Sequence, residues 1–185
     1  MAKDIWFASD HHFGHEKCCT TFLRDDGTPL RPFSGAEEMN AALIDRHNEV
    51  VKPQDKVYFL GDVAITQKNL PLVGQMHGSK RLIRGNHDIF PTKKYLEFFK
   101  EVYGVRVLTE FGGIVLTHVP IHSSQLRRFK VNIHGHLHDK VLEEPGYINV
   151  SVEQIDYRPI HIDEILAQAS RFNPGYDFTQ DVHPG

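Results

Sequence analysis

LIRGNHD, residues 82–88, ends a β-rich run at a glycine and then delivers an amide, an imidazole and a carboxylate to one spot. Gly85 lets the chain turn where a β-carbon would clash. Alone, a turn of this kind is an ordinary polar strand end. Recurrence makes it specific. Four other apolar runs stop in the same manner, at Asp10-His11-His12, Gly61-Asp62, His118 and Gly135-His136-Leu137-His138. Functional groups of open α/β sheets collect beyond the carboxyl ends of strands, so these side chains are expected to meet. Asp10 and His12 are two residues apart, as are His136 and His138, a spacing that turns both members of a pair to one side of an extended chain.

Working outward, residues 5–9 and 56–60 read as buried strands, and 80–84 as the strand that leads into GNHD. Between the first two lies a long loop, 13–33, and then Ser34-Gly35-Ala36-Glu37, which matches a capping box. The helix it opens is expected to run to about Val51 with Met39, Leu43, His47 and Val50 on one face, and Pro53 beyond it. His47 reads as a histidine at the core boundary. Residues 66–76 are weakly helical around Pro71, and 91–103 are expected to be helical with Tyr95, Phe98, Phe99 and Val102 as a core stripe. Further on the period changes: 106–109, 113–117, 131–134, 147–152 and 159–162 read as strands. A last helix, 164–171, is expected to be capped by Asp163. An alternating first half and a strand-rich second half predict an α/β protein of two packed sheets, the first with helices on its outer face. One domain is expected over 1–172, with 173–185 as an extended or frayed tail.

Composition narrows the classes. The chain has 185 residues, a formal net charge of −3 and 40% hydrophobic residues, which is soluble-globular and carries no global signature of nucleic-acid or membrane binding. Its two cysteines, Cys18 and Cys19, are adjacent and poorly placed to form a disulfide with each other. With no leader sequence and no bilayer-length apolar run read from it, the chain is expected in the cytoplasm. Histidine is abundant, at 13, and gathers in two groups around His11, His12, His15 and His118, His122, His134, His136, His138. Such clustering points to metal rather than to scattered surface histidines.

The ordered set DHH 10–12, GD 61–62, GNHD 85–88, His118 and GHLH 135–138 resembles the metallophosphoesterases of the calcineurin-like superfamily, especially its compact single-domain members of bacterial or phage type. The resemblance covers residues 10–138 and implies an αββα sandwich of two mixed sheets. It also implies two metal ions bridged by one carboxylate. Asp10, His12, Asp62 and His138 would hold one, and Asp62, Asn86, His118 and His136 the other. That nitrogen–oxygen set suits manganese first, then iron, zinc or nickel, better than calcium or magnesium. The implied reaction is phosphoester hydrolysis by a metal-bridging hydroxide attacking in line. His87 would protonate the leaving oxygen, steadied by Asp88. A small phosphorylated substrate is expected, a nucleotide or nucleic-acid end in particular, with a diester slightly preferred over a monoester. If the chain is phage-encoded, the cytoplasm is the host's.

Residues 61–64 read GDVA where the Ser/Thr protein phosphatases of the superfamily carry G-D-x-V-D-R-G, so the histidine-steadying aspartate and the phosphate-holding arginine of that motif are absent. Protein phosphatase activity is therefore not expected. His122, Arg127 and Arg128 are candidates for substrate contact, against the plainer reading of Arg127, Arg128 and Lys130 as a solvated basic face. Arg24 and Arg31 carry the same two readings. Phe22 and Phe33 could stack on a base or simply pack the loop. Arg84 is expected to pair with an acid, and His11 and His15 to flank the ligands. The rival from another class is a non-catalytic metal-binding interaction or scaffold module of the same fold.

Overall fold

Val57 and Phe59 pack to one side of their strand and Tyr58 and Leu60 to the other, so this run is buried on both faces. That is the behaviour of a strand interior to a layered α/β fold. The computed structural model of the chain describes residues 4–178. In it β1 (Ile5–Ala8), β2 (Lys56–Phe59), β3 (Ser79–Ile83) and β4 (Glu101–Tyr103) run parallel, and β9 (Ile160–His161) pairs antiparallel with β1. The order of this sheet is β4-β3-β2-β1-β9. A second sheet, β5-β6-β7-β8, is made from Arg106–Leu108, Ile114–Leu116, Val131–His134 and Tyr147–Asn149. Its first strand is antiparallel and the rest are parallel. Both sheets are mixed and helices flank them, as expected.

Two apolar clusters result. Outside the first sheet, Val57, Phe59 and Leu82 meet Met39 and Leu43 of helix α2 (Ala36–Val50) and Val73 of a 3-10 helix, Gln67–Gln75. Between the sheets, Phe7, Tyr58, Leu60 and Ile83 meet Ile114, Leu116, Val131, Ile133 and Ile148. Helix α4 (Ile162–Phe172) adds Ile162, Ile165 and Ala169 to this cluster while lying against β1 and β9. Over the far face of the second sheet runs a segment with a 3-10 helix, Ser123–Arg127. It is pinned where Tyr147 Oη donates to the Ile121 carbonyl (2.8 Å) and the Ile121 N–H donates to Asn132 Oδ1 (3.0 Å).

Several local expectations are corrected. Residues 91–103 do not form one helix. Helix α3 covers only Thr92–Tyr95, and 101–103 is strand β4, because Val102 fills the edge register opposite Leu82. Helix α2 starts without a side-chain cap from Ser34 onto its own first turn. Instead Glu38 takes both the N–H and the hydroxyl of Ser34, and Glu16 Oε2 accepts from Ala36 N. His161, not Asp163, caps α4, in a capping box with Glu164. The 13–33 loop holds helix α1 (Lys17–Thr20) and buries Cys18 and Cys19 as free thiols. Of the tail, residues 173–178 turn back and bury Phe178 against the inter-sheet core, with Tyr176 edge-on to it. Residues 179–185 lie outside the described residues. Among the described residues no helix is long and apolar enough to cross a membrane.

Candidate metal centre

Each candidate ligand follows the carboxyl end of a parallel strand: Asp10 and His12 after β1, Asp62 after β2, Asn86 after β3, His118 after β6, and His136 and His138 after β7. The two sheets join at this edge. Ser9 bridges in parallel to Ser151, with Ser9 N–H donating to Val150 O and Val152 N–H to Ser9 O. Five of the seven residues sit at positive φ: Asp10 (60°), His12 (48°), Asp62 (53°), His136 (71°) and His138 (52°). Non-glycine residues enter this region at a cost and persist there only when surrounding contacts demand it. Two glycines clear the space. A β-carbon on Gly85 would fall 2.2 Å from Asp62 Oδ1, and one on Gly135 would fall 2.3 Å from Asp10 Oδ2.

Asp62 is the central group. Its Oδ2 lies 3.6 Å from His12 Nε2 and 3.4 Å from His118 Nε2. Asp10 Oδ1 lies 3.8 Å from His12 Nε2 and 3.9 Å from His138 Nε2. Asn86 Oδ1 is 2.9 Å from His118 Nε2 and 3.0 Å from His136 Nδ1. Two ligands that share a tetrahedral metal at about 2.0–2.1 Å are roughly 3.3 Å apart, and these spacings are of that order. Asp10, His12 and His138 form one group able to hold an ion, and Asp10, Asp62 and His118 another.

A metal fits this donor set. Asp10 and Asp62 are 0% and 2% exposed, and Asp10 Oδ1 has no hydrogen-bond donor among the described residues. Asp10 Oδ2, by contrast, accepts from His136 N–H (2.9 Å) and the Ser151 hydroxyl (3.0 Å). A buried carboxylate oxygen left bare beside imidazoles is costly unless a cation meets it. Burial raises the Asp10 carboxyl above its usual range. It also acts upward at Asp62, where hydrogen bonding and charge from His118 outweigh it and leave the group low. Burial holds His12 well below the ordinary imidazole value, in the neutral form that ligation requires.

His87 lies at the open side. Its side chain is exposed, its N–H donates to Asp62 Oδ1 (2.8 Å), and its ring meets His12 edge-on at 5.4 Å. The expected role of Asp88 beside it is corrected. Asp88 is 2% exposed and accepts from the N–H groups of Asp62 (2.8 Å), Val63 (3.1 Å) and Gly85 (2.8 Å). It ties the Asp62 loop to the GNHD turn instead of steadying His87. Arg84 pairs with no acid among the described residues either; it donates to the carbonyls of Asp88 and Phe90 and wraps the same turn.

The three proposed substrate contacts lie along the 3-10 segment. His122 caps that helix by accepting from Ser124 N–H, Arg127 ends it, and Arg128 lies over the Phe129 ring. Phe33 packs edge-on against Tyr157, whereas Phe22 is 42% exposed and touches His15, whose ring in turn meets His12. His11 flanks the candidate ligands from the inside, buried against Phe13 and Phe59. Arg31 is neither the substrate contact nor the solvated basic group expected of it, and Glu153 escapes sequence reading altogether. Arg31, 0% exposed, donates to the carbonyls of Asp10 and His11, and Glu153 lies between Arg31 and His138. No motif marks them, since Glu153 and Arg31 meet across 122 residues.

Over 180 aligned residues the chain is 37% identical to the uncharacterized protein MJ1445 of Methanocaldococcus jannaschii, with 89% of this chain and 90% of that protein covered. It belongs to the MJ1445 family. The family's reach extends to phage, for the gene 66 protein of Mycobacterium phage L5 is 30% identical over 178 residues, covering 76% of this chain and 80% of that one. Among solved structures, the protein of unknown function AQ665 from Aquifex aeolicus superposes with a TM-score of 0.66 at 27% identity, over 90% of this chain and 99% of that chain. No protein-family model matches the chain.

Proposed function

We propose that this member of the MJ1445 family is a dinuclear metal-dependent phosphoesterase of the calcineurin-like type. One observation carries the reading: a buried carboxylate, Asp62, stands between His12 and His118 and faces both through the same oxygen. Asp10, His12, Asp62 and His138 would hold one ion, and Asp62, Asn86, His118 and His136 the other. Manganese is the first choice, with iron, zinc and nickel suited by the same donors. When bound, such a pair supplies Lewis-acid polarisation of a phosphoryl group and acidifies water at neutral pH.

The chain's own residues do the rest. Asp10 and Asp62 supply the negative charge that keeps cations at the strand ends. His87 presents an exposed imidazole at the mouth, where it can hydrogen-bond a phosphoryl oxygen and give a proton to the leaving oxygen. With Asp88 committed to backbone, His87 is oriented by its own N–H bond to Asp62 and by ring contact with His12. Asn86, His87 and Ile89 are all exposed around this mouth, which suits a small phosphorylated substrate. A nucleotide-type diester is our preferred class.

The test is hydrolysis of bis(nitrophenyl) phosphate beside nitrophenyl phosphate by metal-free protein supplied separately with Mn, Ni, Zn and Mg. Metal-dependent diester turnover, lost in His136→Ala, is the expected result, and turnover of the monoester alone would make the protein a phosphatase. His87→Ala should keep its metal and lose about 10²-fold or more in turnover. Two bound ions with no turnover of either ester would favour the interaction-module reading instead.

A further inference from the structure

Both Arg31 and Glu153 are side chains with zero exposure, buried behind His138. Glu153 Oε1 accepts from Arg31 Nε (2.8 Å), forms an ion pair with Nη2 (2.8 Å) and lies 3.0 Å from His138 Nδ1, while Oε2 has no hydrogen-bond partner among the described residues. Arg31 also donates through Nη1 to the His11 carbonyl (2.7 Å) and through Nη2 to that of Asp10. We propose that Glu153 and Arg31 are the positioning pair of the first metal site. Glu153 selects the ring nitrogen that His138 offers, and Arg31 locks Glu153 to the backbone of Asp10.

A carboxylate held by a guanidinium only accepts, so His138 Nδ1 must carry the ring proton. In the neutral ring Nε2 then keeps its lone pair, on the side of the ring 3.9 Å from Asp10 Oδ1. A ligating histidine needs this arrangement, and a carboxylate behind the ring both fixes its orientation and raises its basicity. A fully buried ion pair is a poor device for stability alone, because apolar side chains of similar volume often serve as well or better. Glu153 uses one oxygen for both partners. That geometry ties the first β-strand's loop, through Arg31, to the ligand that follows β7.

The inference rests on the metal-centre reading, and its test separates the two. Glu153→Gln keeps an acceptor at the Oε1 position and removes the charge, whereas Glu153→Leu removes both. The readouts are the ¹⁵N shifts of the His138 ring in metal-free protein and Mn affinity by calorimetric titration. Wild type should show proton on Nδ1, and Glu153→Gln should keep it and bind both ions within a few-fold. Glu153→Leu should lose the tautomer and weaken one ion by roughly 10–100-fold, sparing the other. Should the stranded charge of Arg31 prevent folding, Arg31→Met with Glu153→Leu replaces the pair by apolar groups. Its expected signature is a folded protein with the same selective metal loss. Wild-type affinity for both ions in a folded Leu or double variant would overturn the proposal, as would a neutral His138 ring that carries its proton on Nε2 in wild type. No metal uptake by wild type would count against the centre itself, leaving the ring shifts to judge Glu153's hold on His138.

Discussion

Asp62 does two jobs with its two oxygens. Oδ1 accepts from His87 N–H, and Oδ2 faces His12 and His118. Asp62→Asn should therefore reduce metal content at both positions at once. Wild-type stoichiometry by elemental analysis would remove Asp62 from the bridge. Asp88 is as buried but has a different task, and its substitution should read out as stability. Asp88→Ala strips a charged acceptor from three N–H groups and should cost roughly 3 kcal/mol, seen as a lower denaturant midpoint. A variant of unchanged stability would show that those N–H groups find other partners. At this scale the candidate ligands were legible because each ends an apolar run. Arg31, Glu153 and the true partners of Asp88 were not, because nothing in a periodic pattern records a contact between distant loops.

Elements reveal where local propensity loses to packing. Residues 91–103 carry a helical stripe, yet Phe99 and Val102 are better used against the first sheet, Val102 in the register of β4. Helix α2 follows its stripe more faithfully, burying Met39, Leu43, Ile44 and His47. His47 is fully packed rather than at the boundary. It lies against Phe59 and pairs with the His77 carbonyl through Nε2 (3.0 Å). Burial takes its imidazole from 6.5 down to about 4. The unfolded chain then binds a proton at higher pH than the folded one does. Stability contributed by neutral His47 is present above about 6.5 and is lost as pH falls toward about 4. That interval corresponds to roughly 3 kcal/mol. Melts between pH 7 and 4 should show this decline, and His47→Gln should flatten it; an equally steep decline in the variant would assign the effect elsewhere.

For the whole molecule, the decisive arrangement is that the candidate ligands come from both sheets. Asp10, His12, Asp62 and Asn86 follow strands of the first, and His118, His136 and His138 follow strands of the second. An ion bound there cross-links the sandwich and stabilises only the folded state. At about 100 times its Kd a ligand adds roughly 2.7 kcal/mol, worth several degrees in Tm for a chain of this size. Mn, Ni or Zn should raise Tm, and a chelator should reverse the rise. An unchanged Tm with every metal would sink the cross-link. The polar stops at strand ends and the alternation of strand and helix are local properties, written in consecutive residues, so the α/β class and the candidate ligand set could be read without coordinates. The left-handed backbone at five candidate ligands, the Arg31–Glu153–His138 chain and the burial of Phe178 are not local. Tertiary structure decided them, because only when two sheets close on one edge do distant loops compete for the same donors, acceptors and space.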